Sequence, residues 1–263
     1  MDLEKVKRVG IAAAYQGAEI LRSRFGRISR VDKKGAIDLV TEADIGSEEK
    51  IVSVIQTAFP DHTILAEESG LSKMASEFKW LIDPLDGTTN FAHQVPIYTI
   101  SIAFAIKDDI RMGLVLNPVN TELFTAIRGQ GAHLNGSRIG VSSINRARDS
   151  LLVTGFPYDL QDYFDTIIQR YTKCLRAAQG IRRLGSAALD LCYVACGRFE
   201  GFWEQNLKPW DTAAGSLIAT EAGATVTDFS NQPFNNGISK EILATNGRIH
   251  REVLSLLKLK ERQ

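Results

Sequence analysis

Leu3, Val6, Val9, Ala13, Gly17, Ile20 and Leu21 recur at intervals of three and four residues, with charged residues on the opposite face. That period predicts one long amphipathic helix at the N-terminus. After a loop rich in Arg, Lys and Gly, the segment "DLVTEADIGSEEKIVSVIQTAFP" predicts a second helix. Thr41 has the position of an N-cap with Asp44 three residues on, Ile45, Ile51, Val52, Ile55 and Phe59 mark an apolar stripe, and Pro60 stops the helix. Two short apolar runs follow, "TILAEES" and "WLIDP", both of strand character. The first ends in Glu67 and Glu68. The second ends in Asp83, where Pro84 lacks the backbone N–H that a ladder needs.

From Tyr98 to about Ile139 the pattern alternates in strand fashion, broken by Asp-Asp, Pro-Val-Asn and Gly-Gln-Gly, which predicts an antiparallel meander with a hairpin turn at Asn135-Gly136-Ser137. The second half mixes both periods: strand "LLVTG", helix Tyr163 to Ala178, helix "SAALDLCYVACG", strand "FEGFWEQ", helix "WDTAAGSLIATEAG", strands "ATVTD" and "EILATN", and a last helix. The expectation is an α+β chain whose helices and sheets stack in layers. It forms one domain over residues 1–263 with two lobes and a soft boundary near Ser142.

Composition adds exclusions. The 263 residues are 44% hydrophobic and 24% charged, ordinary for a globular protein, and 31 basic residues balance 31 acidic ones. A zero net charge gives no global reason to bind nucleic acid directly or to bind an anionic membrane. No apolar stretch is long enough for a membrane helix and the N-terminus lacks a signal peptide's apolar core, so a cytoplasmic location is expected. Cys174, Cys192 and Cys196 show no disulfide or zinc pattern and read as reduced, buried residues.

The segment "WLIDPLDGTTNF" carries the first chemical signal. A turn at Pro84-Leu85 would bring Asp86 beside Asp83, and two carboxylates converging on one point call for a cation between them. Gly87, Thr88 and Thr89 read as a helix start, which favours an anion close by. The plainer alternative is an Asp-Gly turn with a capping threonine. Asp211 in "KPWDTAAG" equally suits the first turn of a helix, Asp44 a capping box alone, and Glu204 a solvated strand position. Acids without a nearby histidine or cysteine cluster suit magnesium, and magnesium suggests phosphate chemistry. Nucleotide-loop, dinucleotide, zinc-protease and serine-hydrolase signatures are absent from the sequence.

"AEES", "WLIDPLDGTTNF" and "KPWDTAAGSLIATEAG" together resemble the three signature segments of the inositol monophosphatase family of magnesium-dependent, lithium-sensitive sugar phosphatases. "DLVTEAD" and "RRLGSAALDLCYVACGRFEGFWE" extend the resemblance over nearly the whole chain. It implies a layered α-β-α-β-α sandwich and hydrolysis of an inositol or other sugar monophosphate by direct attack of water. It implies two magnesium ions, with a third weakly held. One would be bound by Glu67, Asp83 and the Leu85 carbonyl, the second by Asp83, Asp86 and Asp211. Catalytic roles fall to Glu67, Thr88 and Asp44. Phosphate and sugar would meet Gly87 and Thr88, then Asp86, Glu204, Asp211 and the Gly185-Ser186-Ala187 turn. Lys33 or its neighbour Lys34 matches a basic loop position, and Arg182 and Arg183 suit dimer contacts or a second phosphate, unless all four are ordinary surface residues. The family also implies a homodimer. Fructose-1,6-bisphosphatase activity is the alternative within the class. The alternative outside it is a regulatory protein of the transcription antitermination machinery, with RNA polymerase or antitermination factors as partners.

Overall fold

The computed structural model describes residues 1–27, 31–33, 39–72, 74–157 and 160–259. Helix α1 (Leu3–Arg24) begins where the Asp2 carboxylate accepts the N–H groups of Glu4 and Lys5, each at 3.0 Å, and it buries Val6, Ala13, Gly17 and Leu21. Strands β1 (Val31–Lys33) and β2 (Leu39–Thr41) form a two-stranded antiparallel ribbon that the hydrophobic pattern did not reveal. Helix α2 (Glu42–Ala58) has Thr41 as its N-cap and Asp44 completing the capping box. Ile45, expected in the buried stripe, is 45% exposed. The buried face at this end of α2 consists of Ala43 with the polar Asp44, Ser47 and Glu48, and carries large apolar side chains only from Ile51 and Ile55.

Strands β3 (Thr63–Ala66), β4 (Gly70–Leu71) and β5 (Phe78–Asp86), helix α3 (Thr88–Ala92), and strands β6 (Thr99–Ile106), β7 (Asp109–Asn117), β8 (Glu122–Ile127), β9 (Ala132–Leu134) and β10 (Ser137–Arg138) follow. The eight strands of this run form one sheet in the order β10-β9-β8-β7-β6-β5-β3-β4. Only the β3/β5 pair is parallel. The expected meander is therefore present, and its Asn135-Gly136 turn has both residues left-handed, at φ 49° and 81°.

Strand β5 corrects one expectation. It does not end at Asp83 but runs through Pro84 and Leu85 to Asp86, with a bulge between Asp83, opposite Ser101, and Asp86, opposite Thr99. Three residues thus step against two. Residues three apart in a regular strand face opposite ways, and the one inserted residue turns both aspartates to the same side. A bulge is also where a proline without an N–H can sit inside a sheet.

The rest of the chain forms β11 (Leu151–Thr154), α4 (Leu160–Ala177), β12 (Gly180–Arg182), α5 (Ala187–Ala195), β13 (Gly201–Gln205), α6 (Pro209–Glu221), β14 (Thr225–Thr227), β15 (Glu241–Thr245) and α7 (His250–Leu257). The second sheet has the order β12-β11-β13-β15-β14, parallel across its first three strands and antiparallel beyond.

Alternation along the strands sorts the apolar residues into layers. Trp80, Ile82, Ile102 and Phe104 on one face of the large sheet pack against Val6 and Leu21 of α1 and Ile51 and Ile55 of α2. On the other face Leu81, Ala103 and Val115 meet Ala188 and Cys192 of α5 and Ala214, Leu217 and Ile218 of α6. Helix α5 turns Leu191 and Val194 the other way, onto Val153, Phe202, Ile242 and Ala244 of the second sheet. The far face of that sheet, with Leu152, Trp203 and Leu243, is covered by Cys174 of α4 and Val253 and Leu257 of α7. The order is α-β-α-β-α, as expected. Helix α6 lies so close to β7 that a Cβ on Gly113 would fall 2.8 Å from the Ala214 carbonyl oxygen and 3.0 Å from its Cα. Cys174 and Cys192 are buried, Cys196 is half-buried, and none of the three is in a disulfide.

Candidate active site

Between the C-terminal ends of β3, β5 and β13 and the starts of α3, α5 and α6 lies a cleft of about 230 Å³. Glu67, Asp83, Leu85, Asp86, Gly87, Thr88, Gly185, Ser186, Ala187, Glu204 and Asp211 all line it. A more open crevice of about 830 Å³, beside Lys79, Lys107 and the Thr220 side of α6, contains none of these residues.

Each acid is held by the end of an element. The Glu67 N–H donates to the Ile82 carbonyl at 3.1 Å, tying the exit of β3 to β5. The turn beyond it is set by Glu48, whose carboxylate accepts the N–H groups of Glu68 and Ser69, both at 2.8 Å. Buried Asp83 accepts the Leu85 N–H at 3.0 Å. Its carboxyl is pushed well above the usual range, first by burial and then by the charges of Glu67, Asp86 and Asp211. Asp86 Oδ2 accepts the Ser186 hydroxyl at 2.7 Å and the Ala188 N–H at 2.8 Å. Burial nevertheless raises Asp86 to about 6, against those hydrogen bonds. Asp211 caps α6 through the Lys208 N–H at 2.7 Å and also faces the cleft. Burial and then the Asp86 charge push it well up. Helix-capping and site-lining therefore coincide in this one residue.

Asp44 is likewise both a cap and a part of the site. Its Oδ2 accepts the Thr41 N–H at 2.8 Å and the Thr41 hydroxyl at 2.5 Å, and its Oδ1 accepts the Thr88 hydroxyl at 2.9 Å. Burial raises its pKa in spite of these donors. Asp44 lies behind Thr88 and does not line the cleft wall. Gly87 adopts φ 107°, and a Cβ there would lie 3.0 Å from the Ile97 carbonyl oxygen and 3.2 Å from that of Gly185. Only glycine fits such a corner. Asn90 stitches the same region, donating through Nδ2 to the Ile97 carbonyl at 2.9 Å and the Leu184 carbonyl at 2.7 Å.

At the opposite end Glu204 is 8% exposed, so the solvated-strand alternative fails. Burial raises it to about 8, Arg183 pulls it down and Asp86 pushes it up. Asp190 was not foreseen. It is 1% exposed on α5, lines the cleft, and its Oδ1 has no hydrogen-bond partner. Its carboxyl is pushed well above the usual range by burial, then by Glu204 and Asp86, while Arg183 acts the other way. The signal for it was the acid in "ALDLC", one turn into an otherwise apolar helix. Glu48 had the same signal, an acid at the site-facing end of α2. Arg183 lines the rim beside the Phe156 ring, 6.0 Å from its centroid, whereas Arg182 is exposed and outside the cleft lining. Lys33 contributes backbone to β1, and Lys34 lies outside the described residues.

The acids Glu67, Asp83, Asp86 and Asp211 that line the cleft offer hard oxygens, and burial with mutual repulsion makes their negative charge costly without a cation. Both properties fit a hard divalent ion. Among the described residues no three acid, histidine or cysteine side chains are drawn together as a finished ion cage.

Known proteins similar to the chain match nearly its whole length. The chain is 47% identical over 248 residues to an inositol-1-monophosphatase from Synechocystis, covering 94% of this chain and 86% of that protein. It is 40% identical over 250 residues to the Nus factor SuhB of Escherichia coli, covering 94% and 93%. Among solved structures, an inositol monophosphatase from Anabaena superposes with a TM-score of 0.88 at 38% identity, over 98% of this chain and 96% of that one. The extragenic suppressor protein suhB of Bartonella henselae superposes with a TM-score of 0.92 at 39% identity, over 97% and 98%. The model of the inositol monophosphatase family matches residues 2–261, and the chain belongs to that family of phosphatases.

Proposed function

We propose that the chain is a magnesium-dependent inositol-1-monophosphatase that hydrolyses its substrate by direct attack of water. The observation that carries this reading is the one cleft that Glu67, Asp83, Leu85, Asp86 and Asp211 line together with Thr88 and Glu204. Bound magnesium supplies positive charge for the phosphoryl and leaving oxygens and lowers the pKa of water. Glu67, Asp83 and the Leu85 carbonyl are assigned to one ion, and Asp83, Asp86 and Asp211 to a second.

The residues around them have separable tasks. Asp44 has its acceptors taken by Thr41 and Thr88, so it acts through Thr88. With its proton directed to Asp44 and the Leu85 carbonyl, the Thr88 oxygen presents lone pairs to the attacking water, and Glu67 takes up the water's proton. Gly87 and Thr88 receive the phosphate. At the far end Glu204, Asp86 and the Gly185-Ser186-Ala187 turn meet the sugar hydroxyls. Arg183 acts on both Glu204 and Asp190, so its guanidinium is shared between two buried acids and is less free to take a second phosphate. This argues against fructose 1,6-bisphosphate as the preferred substrate.

Phosphate release from inositol 1-phosphate and fructose 1,6-bisphosphate, measured in parallel with magnesium, tests the reading. The expected result is a higher kcat/KM for inositol 1-phosphate, lithium inhibition, and a loss of at least about a hundredfold in Asp83→Asn, since even groups supporting a metal ligand are worth that much. Full activity in Asp83→Asn would sink the metal assignment, and preference for the bisphosphate would reverse the substrate assignment. The names of the SuhB relatives favour a second role, in transcription antitermination. That role predicts an RNA polymerase or antitermination-factor complex that survives Asp83→Asn, and a pull-down without such a partner removes it.

A further inference from the structure

Gly155 follows β11 directly and lines the cleft, yet has no side chain to offer it. The parallel β11/β13 ladder pairs Val153 with Phe202 and Thr154 with Trp203, so the next step sets Gly155 beside Glu204. The Thr154 hydroxyl fixes this register by donating to the Trp203 carbonyl at 2.7 Å. A Cβ built on Gly155 would fall 2.1 Å from Glu204 Oε2 and 2.3 Å from both Cδ and Oε1. The Glu204 carboxylate fills the space where any other residue would carry its first side-chain atom.

We infer that Gly155 is a positioning residue for the polyol end of the substrate, its missing side chain being the seat in which the Glu204 carboxylate rests. The inference builds on the reading that Glu204 meets the sugar hydroxyls. Gly155 is not one of the glycines whose φ is positive, so left-handed backbone does not explain it. Backbone crowding does not explain it either. At Gly113 the atoms in the way are the backbone of Ala214, and at Gly87 they are the backbone of Ile97, Gly185 and Tyr98, whereas all three at Gly155 belong to one flexible side-chain end. A methyl group here moves the carboxylate and leaves the sheet intact. The displaced group moves within a cleft that Asp86 and Asp190 also line.

The test is a double-mutant cycle of Gly155→Ala and Glu204→Ala in the magnesium-loaded protein, with kcat and KM measured for inositol 1-phosphate and for phenyl phosphate, which has no hydroxyls to read. Gly155→Ala is expected to lower kcat/KM for inositol 1-phosphate about tenfold to a hundredfold, the range for a lost hydrogen bond involving a charged group, mostly through KM. The loss with phenyl phosphate should be much smaller. In the Glu204→Ala background the same change should have no further effect. Wild-type behaviour of Gly155→Ala alongside an impaired Glu204→Ala overturns the inference. Losses that multiply in the double variant, or that are equal for both substrates, also overturn it by showing that Gly155 acts elsewhere. A silent Glu204→Ala overturns the polyol reading first and the inference with it.

Discussion

At the scale of single residues, the site depends on groups that do two things at once. The Thr88 hydroxyl reaches both Asp44 Oδ1 at 2.9 Å and the Leu85 carbonyl at 3.0 Å, so Thr88→Val removes a donor from a buried acid as well as a lone pair from the proposed water site. Expected are a fall in kcat of about a hundredfold or more and a loss of stability of about 1–3 kcal/mol in urea unfolding. Thr88→Ser should recover most of both. Gly87→Ala combines φ 107° with the Ile97 carbonyl oxygen 3.0 Å from the new Cβ. A destabilisation on the order of 1–3 kcal/mol is expected, with a matching loss of hydrolysis. Near-native stability with intact activity in Gly87→Ala would show that the corner can relax.

At the scale of elements, the question is what holds the acid-bearing ends together. Helix α6 carries Asp211 and is seated on β7 through Gly113, whose Cβ position is blocked by Ala214 backbone atoms at 2.8 and 3.0 Å. Backbone cannot swing aside as a side-chain end can. Gly113→Val should therefore lift α6, lowering stability by about 1–3 kcal/mol and reducing magnesium affinity with it, read by thermal unfolding with and without the ion.

Much of the element order was legible, because α1, the β6–β10 meander and α6 each repeat one period long enough to be read. Strands β1, β2, β4 and β12 were missed because two or three residues carry no period. Ile45 was misassigned because the polar half of α2, through Asp44, Ser47 and Glu48, faces the site region and leaves the apolar residue outside. The bulge in β5 was read as a strand end, since Pro84 signals the same lost N–H in either case. At the site, the acids at element ends were visible because their neighbours break the pattern abruptly. Asp190, Glu48 and Gly155 were not, because their meaning lies in what stands opposite them in space.

For the whole molecule, the buried acids set the response to pH. Glu204 is raised to about 8 from 4.5, and Asp86 to about 6 from 3.8. The folded chain thus keeps these protons longer than the unfolded chain does, so stability from this source is complete below the unfolded values and is lost as pH rises through the folded ones. In chelator, the melting temperature should fall between about pH 4 and about pH 8, and Glu204→Gln should flatten the upper part of the fall. Magnesium should raise the melting temperature more at the alkaline end, where it does not compete with protons. A flat profile in chelator would show that the carboxylates find other compensation.

The middle helices have a consequence for how the molecule opens. Helix α5 contributes to the apolar clusters on both its flanks, with Ala188 and Cys192 toward the large sheet and Leu191 and Val194 toward the small one. Apart from the half-buried Tyr193 its residues are buried, so its amides beyond the first turn are expected to take up deuterium mainly when the two sheets part. Ser186 and Ala188, at the head of that helix, hold Asp86. The α5 amides are therefore expected among the slowest to exchange, in one opening event with the candidate active site, which makes their exchange rate a clock for how often that site comes apart.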